Sequence, residues 1–504
     1  MIIISLTFYK VMMNCRIILS LLLWSFISCD KKGDTPQPIT PPIIPPVTTT
    51  PTFDINTIKD SYDEIANPTN FLKWGSYNVH DPSIIKHNDT YYCYNTDVAF
   101  GFDIRSGIQI RSSKDLVQWF TYGWVFNGLP KMGADFIRQN GTQPFNSLWA
   151  PYVIKYNNEF RLYYSLSSSD PRRSVIGLAT ATNPEGPWTE KGLVVVSLND
   201  NSRQTNAIDP TVVTTPTGEQ YFYYGSGWDG IYMLPLNPAT GLALSQGDKG
   251  KRIANRGFTG GKYNGNIEGA EIIYNKELKK YYLFIAYDWL ATKYNVRVCR
   301  SDSPTGPFYD YNGIDANKDV DHEPMILAPY QFNGHSGWQG VSHCSVFQNP
   351  DNGQYFMAHQ GRPGNQSAYM ILHVRKIQWT EDGWPVVSPE RYAYEENKNV
   401  EESQLIGDWE RIVFGYSVVP GYDKEQSSPD FQKSVDLKIN ANKTLNNDLA
   451  STWSYTAPWL TLKWSDGTTE KVNVQAGHDW ENKKASVVFT GLNNKGVSVW
   501  GKKK

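Results

Sequence analysis

Between residues 81 and 391 the chain returns five times to one pattern, and this repeat constrains the fold more than any other feature. Each unit opens on a polar or acidic residue beside Pro or a small residue. The openings are His80-Asp81-Pro82-Ser83, Trp149-Ala150-Pro151-Tyr152, Ile208-Asp209-Pro210-Thr211, Ile267-Glu268-Gly269-Ala270 and Ser342-His343-Cys344-Ser345. An aromatic strand follows each one: Tyr91-Tyr92-Cys93-Tyr94, Tyr163-Tyr164-Ser165, Tyr221-Phe222-Tyr223-Tyr224, Tyr281-Tyr282-Leu283-Phe284 and Tyr355-Phe356-Met357. Turns ending on Trp or Phe recur, as in Asn183-Pro184-Glu185-Gly186-Pro187-Trp188 and Ser303-Pro304-Thr305-Gly306-Pro307-Phe308. Gly and Pro at fixed offsets after short alternating runs signal hairpins. Units of roughly 60–75 residues suit one four-stranded sheet each. Five of them predict an all-β, five-bladed β-propeller, in which radial closure protects the sheet edges. A β-sandwich or jelly roll is the rival, and the spacing suits it less.

The aromatic residues, 17 Trp, 31 Tyr and 21 Phe in 504, have two readings. They fill strands and cores, or some form flat platforms for sugar rings. A net charge of −2 offers no polycationic face for phosphate backbones, so nucleic acid is excluded as an expected partner. After about residue 399 the blade openings stop. Alternating runs such as Leu460-Thr461-Leu462-Lys463-Trp464 and Ala485-Ser486-Val487-Val488-Phe489 predict a small antiparallel β-barrel or sandwich. The expected organisation is therefore a signal over 1–29, a Pro/Thr-rich linker over 30–55, a propeller over 56–398 and a β-barrel domain over 399–504.

The apolar stretch from Ile17 to Ser28 follows Lys10 and Arg16. It is too short to span a bilayer and has the layout of an export signal. Ending on Ser28-Cys29, it resembles a bacterial lipoprotein signal, which implies lipidation of Cys29 and a membrane-anchored, exported protein. An ordinary secretory signal is the alternative, and Met12 or Met13 is a possible start. Beyond these, Cys93, Cys299 and Cys344 have no zinc-site spacing and read as buried thiols.

In a propeller the first strand of each blade lines the axis, so residues opening those strands meet although distant in sequence. Three openings carry an acid: Asp81, Asp209 and Glu268. Acids in equivalent places of three blades repel one another, and burial raises their pKa values, a cost that chemistry explains better than turn formation does. Glycoside hydrolysis needs such groups: one acid to protonate the leaving oxygen, a carboxylate opposite to activate water, and a neighbour to keep the acid protonated. Glu271 is a competing acid. In a regular strand it faces away from Glu268, because their separation is odd.

These openings resemble glycoside hydrolase family 43. Tyr224-Gly225-Ser226-Gly227-Trp228-Asp229-Gly230, His343-Cys344-Ser345-Val346 and Gly383-Trp384-Pro385-Val386-Val387-Ser388-Pro389-Glu390-Arg391-Tyr392 are similar to its endo-arabinanase branch, and the C-terminal region resembles the second domain of two-domain arabinanases. The resemblance implies an inverting hydrolase of internal α-1,5-L-arabinofuranosidic bonds in arabinan, acting as a monomer. Asp81 would be the general base, Glu268 the general acid and Asp209 the pKa modulator. Trp149, Trp228 and Ser226 would contact sugar, and His343 would help to hold one calcium ion in the channel. Two positions depart from the family pattern: Tyr152 stands where Asp is usual, and Cys344 where Asn is usual. Alternatives are an exo-acting α-L-arabinofuranosidase or β-xylosidase, or a non-catalytic glycan-binding lipoprotein. A pure binding protein has no reason to keep acids at three openings.

Overall fold

The computed structural model describes residues 53–504 apart from 62–64, 66–67, 100–104 and 396–397. The expected signal, Cys29 and most of the linker lie outside the described residues. The chain divides after Ile58 into two units, and the larger, Lys59–Lys504, carries everything that follows.

Five sets of four antiparallel strands form the propeller blades, the first four as separate sheets and the fifth within a seven-stranded sheet. Blade 1 comprises Ser83–His87, Thr90–Asn95, Gln109–Ser113 and Phe120–Trp124; blade 2 comprises Trp149–Tyr156, Glu159–Leu166, Ser174–Ala181 and Thr189–Ser197. Blade 3 comprises Thr211–Thr214, Gln220–Tyr224, Ile231–Leu236 and Lys251–Ala254; blade 4 comprises Ile267–Asn275, Lys280–Tyr287, Asn295–Ser301 and Met325–Leu327. Blade 5 comprises Ser345–Gln348, Tyr355–Pro363, Ile371–Trp379 and Pro385–Val387. The first strand of each blade contacts the first strand of the next, and that of blade 5 contacts that of blade 1, which closes the ring. The aromatic strands are the second strands, nearly all buried. Their tyrosines also stitch blades together. Tyr94 donates to the carbonyl of Pro184 at 2.6 Å, Tyr163 to that of Gly241 at 3.0 Å, and Tyr282 to that of Gly383 at 2.5 Å, each in the next blade's outer turn. Tyr223 does the same to Pro304.

The blade openings share a backbone kink. Asp81, Ala150, Asp209, Gly269 and His343 occupy one position in each blade, with φ of 51°, 34°, 61°, 57° and 51°. This left-handed conformation costs a non-glycine residue about 1–2 kcal/mol, and it recurs at the same position of all five blades. Two residues further on, a side chain reaches the neighbouring blade. Ser83 Oγ accepts from Val153 N at 3.0 Å, Thr211 Oγ1 from Ile272 N at 3.4 Å, Glu271 Oε1 from Val346 N at 2.9 Å, and Ser345 Oγ from Ile84 N at 3.1 Å. In blade 2 the position is Tyr152, whose hydroxyl instead donates to the carbonyl of Val212 at 3.4 Å. These five contacts form a closed belt around the axis.

A closed eight-stranded barrel follows: Gly407–Val413, Val435–Ile439, Thr444–Leu445, Asp448–Thr456, Trp459–Lys463, Thr469–Asp479, Lys484–Asn493 and Ser498–Lys503, the last pairing with the first. Its core is separate, around Trp409, Leu460 and Phe489. Its last strand also contributes to the propeller's core, because Trp500 packs in one cluster with Tyr330, Trp338 and Ile371. Lys502 Nζ adds a buried polar tie, 3.0 Å from Glu390 Oε1, 2.9 Å from Asp479 Oδ1 and 2.6 Å from Glu481 Oε2. These three acids are grouped closely enough to hold a metal, but the lysine's ammonium already sits among them. Between the barrel's first two strands, Gln432–Lys433 pairs in parallel with Tyr330–Gln331 of the propeller. Cys93, Cys299 and Cys344 are buried free thiols.

Candidate active site

The kinked openings aim side chains at the axis, and three of the five converge. Asp81 is the most constrained. Its Oδ1 lies 2.7 Å from His80 Nδ1 and 3.0 Å from His343 Nδ1, and its Oδ2 accepts from Thr96 Oγ1 at 2.6 Å. Thr96 Oγ1 in turn accepts from Ala150 N at 2.7 Å, so the next blade holds the hydroxyl that holds the carboxylate. Burial alone would raise the Asp81 pKa, but the charges and hydrogen bonds of His80 and His343 outweigh it and keep the carboxyl ionised, well below the usual range. Ionisation suits a group that must accept a proton.

Asp209 behaves in the opposite way. Its backbone N–H donates to Ser165 Oγ at 3.1 Å, and its Oδ2 accepts from Gly269 N at 3.1 Å. Burial pushes its pKa up to about 8; positive His343 opposes this, while negative Glu268 and Asp81 add to it. The acid cluster therefore retains a proton at neutral pH.

Glu268 enters by a different route from the other two acids. The kinked residue of blade 4 is Gly269, so Glu268 stands one position earlier, and the expectation of three equivalent acids holds for Asp81 and Asp209 only. A side chain at residue 269 would crowd the site, since a Cβ there would lie 3.0 Å from the His343 ring, which would have to shift. The carboxylate of Glu268 accepts from Ser226 Oγ at 2.6 Å and from Tyr294 Oη at 2.9 Å. Glu271 is elsewhere. Strand register shifts between Glu268 and Glu271, so simple alternation fails there. Glu271 serves in the belt, where Thr211 Oγ1 also donates to its Oε2 at 2.9 Å. Burial pushes Glu271 up to about 8 despite these donors.

His343 is the hub. The charges of Asp81, Asp209 and Glu268, with the Asp81 hydrogen bond, overcome burial and push its pKa up to about 9. The same three acids act on the Tyr294 hydroxyl, which with burial is held neutral, well above its usual pKa. For calcium, the donor set is meagre. Calcium takes six to eight oxygens, and among the described residues no group of three ligand side chains converges on His343. Its Nδ1 is engaged by Asp81, so Nε2 would be the ligand, and only in the neutral imidazole, whereas the ring holds its proton up to about pH 9. What the channel offers a cation is negative charge, so an ion there would keep a mostly aqueous shell.

The aromatic candidates differ. Trp149 is half-buried, its Nε1 donating to Ser147 Oγ at 2.8 Å and its ring stacked on Phe145 at 5.4 Å between centroids. It is thus a braced platform. Trp228, also left-handed at φ 50°, has the Arg172 guanidinium over its ring at 5.2 Å, and Tyr263 donates to its carbonyl. Ser226 spends its hydroxyl on Glu268. Thr96 and Tyr294 were not among the expected site residues. Thr96 closes an aromatic strand and Tyr294 lies in a loop, and neither carries a motif.

The sequence matches the profile of glycosyl hydrolases family 43 over residues 75–385 and that of the family's C-terminal lipocalin-like domain over residues 389–501. It is 29% identical over 464 residues to the extracellular endo-α-(1→5)-L-arabinanase of Thermotoga petrophila, covering 84% of this chain and 93% of that one. It is 28% identical to extracellular endo-α-(1→5)-L-arabinanase 2 of Bacillus subtilis, covering 84% and 92%. The crystal structure of the endo-1,5-α-L-arabinanase of Thermotoga petrophila superposes with a TM-score of 0.72 at 27% identity, covering 85% of this chain and 98% of that one.

Proposed function

The chain belongs to glycosyl hydrolases family 43, and from that premise we propose that it is an inverting endo-hydrolase of α-1,5-linked arabinan. One observation carries the reading: Asp81 lies 3.0 Å from His343 Nδ1, and Gly269, which abuts the His343 ring and adjoins Glu268, donates its N–H to Asp209 at 3.1 Å, so three acids from three blades meet around one imidazole. Two relatives named as extracellular endo-arabinanases that align over most of both chains support the substrate, and their location accords with the expected export signal.

In this reading Asp81 is the base. A water oxygen attacks the anomeric carbon of an arabinofuranosyl unit while Asp81 takes the water's proton. Glu268 gives its proton to the glycosidic oxygen as the carbon–oxygen bond breaks, and the configuration inverts. Ser226 and Tyr294 orient Glu268. Asp209, whose carboxyl burial pushes up to about 8, is the modulator. Trp149 offers a sugar platform. The reading includes a channel cation only with His343 neutral, since Nε2 can ligate it only in place of the proton that the imidazole otherwise holds up to about pH 9.

Product analysis on debranched linear arabinan tests the function. Mixed short oligomers should appear early, with the newly formed reducing end of inverted configuration, and Glu268→Gln should lower turnover by about 10²–10⁴-fold. Arabinose as the sole early product would sink endo action, and retained anomeric configuration would sink the mechanism. For the cation, dialysis against EDTA should lower Tm and added calcium should restore it. An unchanged Tm would remove the ion from this account.

A further inference from the structure

The chain between Val413 and Gln432 leaves the barrel's first strand, rejoins the propeller, and packs on two segments of blade 4 and its approach. Asp288, fully buried and left-handed at φ 74°, lies at the centre of this contact. Its Oδ1 accepts from Arg256 Nη1 at 2.6 Å and Gln426 Nε2 at 2.8 Å; its Oδ2 accepts from Asn295 Nδ2 at 2.8 Å and Tyr416 Oη at 2.5 Å. Half of the hydrogen bonds to this buried carboxylate therefore come from the segment that follows the barrel's first strand. Arg256 Nη2 also donates to Tyr416 Oη at 2.5 Å.

Gln426 is fully buried and reaches both chain segments that meet at Glu268. Its Oε1 accepts from Asn266 Nδ2 at 3.0 Å, two residues before Glu268, and its backbone carbonyl accepts from Thr292 Oγ1, two residues before Tyr294. Asn266 is tied in again, since Asp288 N donates to its carbonyl at 2.9 Å. Between them, Tyr422 packs so closely on Gly265 that a Cβ there would lie 2.1 Å from the tyrosine hydroxyl.

We propose that Gln426 and Tyr416 are positioning residues for Glu268: by joining Asn266, Asp288 and the loop of Tyr294, they fix the angle at which the carboxyl meets the leaving oxygen. The C-terminal region thus acts on the chemistry through its connecting segment. This rests on the assignment of Glu268 as the acid. A misaligned acid costs most where the leaving oxygen needs its proton and little where the leaving group departs unaided.

The experiment compares Gln426→Leu and Tyr416→Phe with wild type on a linear arabino-oligosaccharide and on the same oligosaccharide bearing a dinitrophenyl leaving group. Each variant should lose about tenfold or more in kcat on the first substrate, with KM within about twofold, and less than about threefold on the second. Equal losses on both substrates, or full activity on both, would overturn the proposal while wild-type hydrolysis upholds the function it rests on. If Gln426→Leu does not fold, Tyr416→Phe alone decides, because it removes one oxygen and keeps the ring. Wild-type inactivity on both substrates would overturn the assigned function, and the proposal with it.

Discussion

Tyr294 is almost wholly buried, and its hydroxyl donates to Glu268 Oε1 at 2.9 Å. A hydrogen bond to a charged group is worth about 1.5–3 kcal/mol, so Tyr294→Phe should cost about ten- to a hundredfold in kcat and leave KM nearly unchanged. Steady-state kinetics on arabinan would show it; unaltered kcat would mean that Ser226 alone orients the acid. The residues that carry charge here differ in how readable they are. Asp81 and Asp209 announce themselves as acid-Pro at blade openings. Glu268 is found by its place in the order of motifs, although it sits one position before its presumed equivalents. Thr96 and Tyr294 have no local signature, because their roles come from oxygen atoms brought within hydrogen-bond reach by neighbouring blades.

The belt of side chains two residues beyond each kink belongs to the level of strands. Four members accept a backbone N–H from the adjacent blade, and Tyr152 donates to a carbonyl instead. The unusual Tyr at this position is therefore accommodated as a belt member with reversed polarity. Glu271 is the titratable one. Its pKa is raised in the folded chain to about 8, above its unfolded value of about 4.3. A raised value means that its contribution to stability is full below about pH 4.3 and is lost as pH rises through about 8. Glutamine cannot titrate, and its amide oxygen still accepts from Val346 N. Glu271→Gln should therefore gain Tm relative to wild type between pH 5 and pH 9. Thermal melts at those two pH values give the comparison, and parallel Tm curves for the two proteins would refute it. The paired openings and aromatic strands made the blades legible, whereas the belt was not, because Ser, Thr, Glu and Tyr share no pattern.

At the scale of the whole molecule, propeller and barrel are joined by a shared apolar cluster and by Lys502. Burial and the charge of Glu481 push the Glu390 carboxyl well up, while Lys502 holds Glu481 down to about 2. The ammonium is thus matched to acids from both sides of the junction. Removing one partner of a buried ionic cluster leaves the others uncompensated, at a cost of about 3–5 kcal/mol. Lys502→Met should lower the urea midpoint accordingly; a loss below about 1 kcal/mol would show that Trp500 and its neighbours hold the junction by themselves. The sequence indicates a separate C-terminal β domain through its change of texture. It does not indicate that the last strand enters the propeller's core.

Taken alone, the amino-acid order determined the all-β class, the number of blades, the change of texture near residue 399 and the three acids. These are local signals: alternation, turn chemistry and acid-Pro openings act over a few residues and are written in consecutive positions. Tertiary structure decided which side chains meet. The left-handed kinks set side-chain direction at the axis, the register shift after Glu268 sends Glu271 to the belt, and Gln426 closes a hydrogen-bond network 160 residues from Asn266. Such contacts depend on ring closure, which brings together groups that no sequence spacing relates.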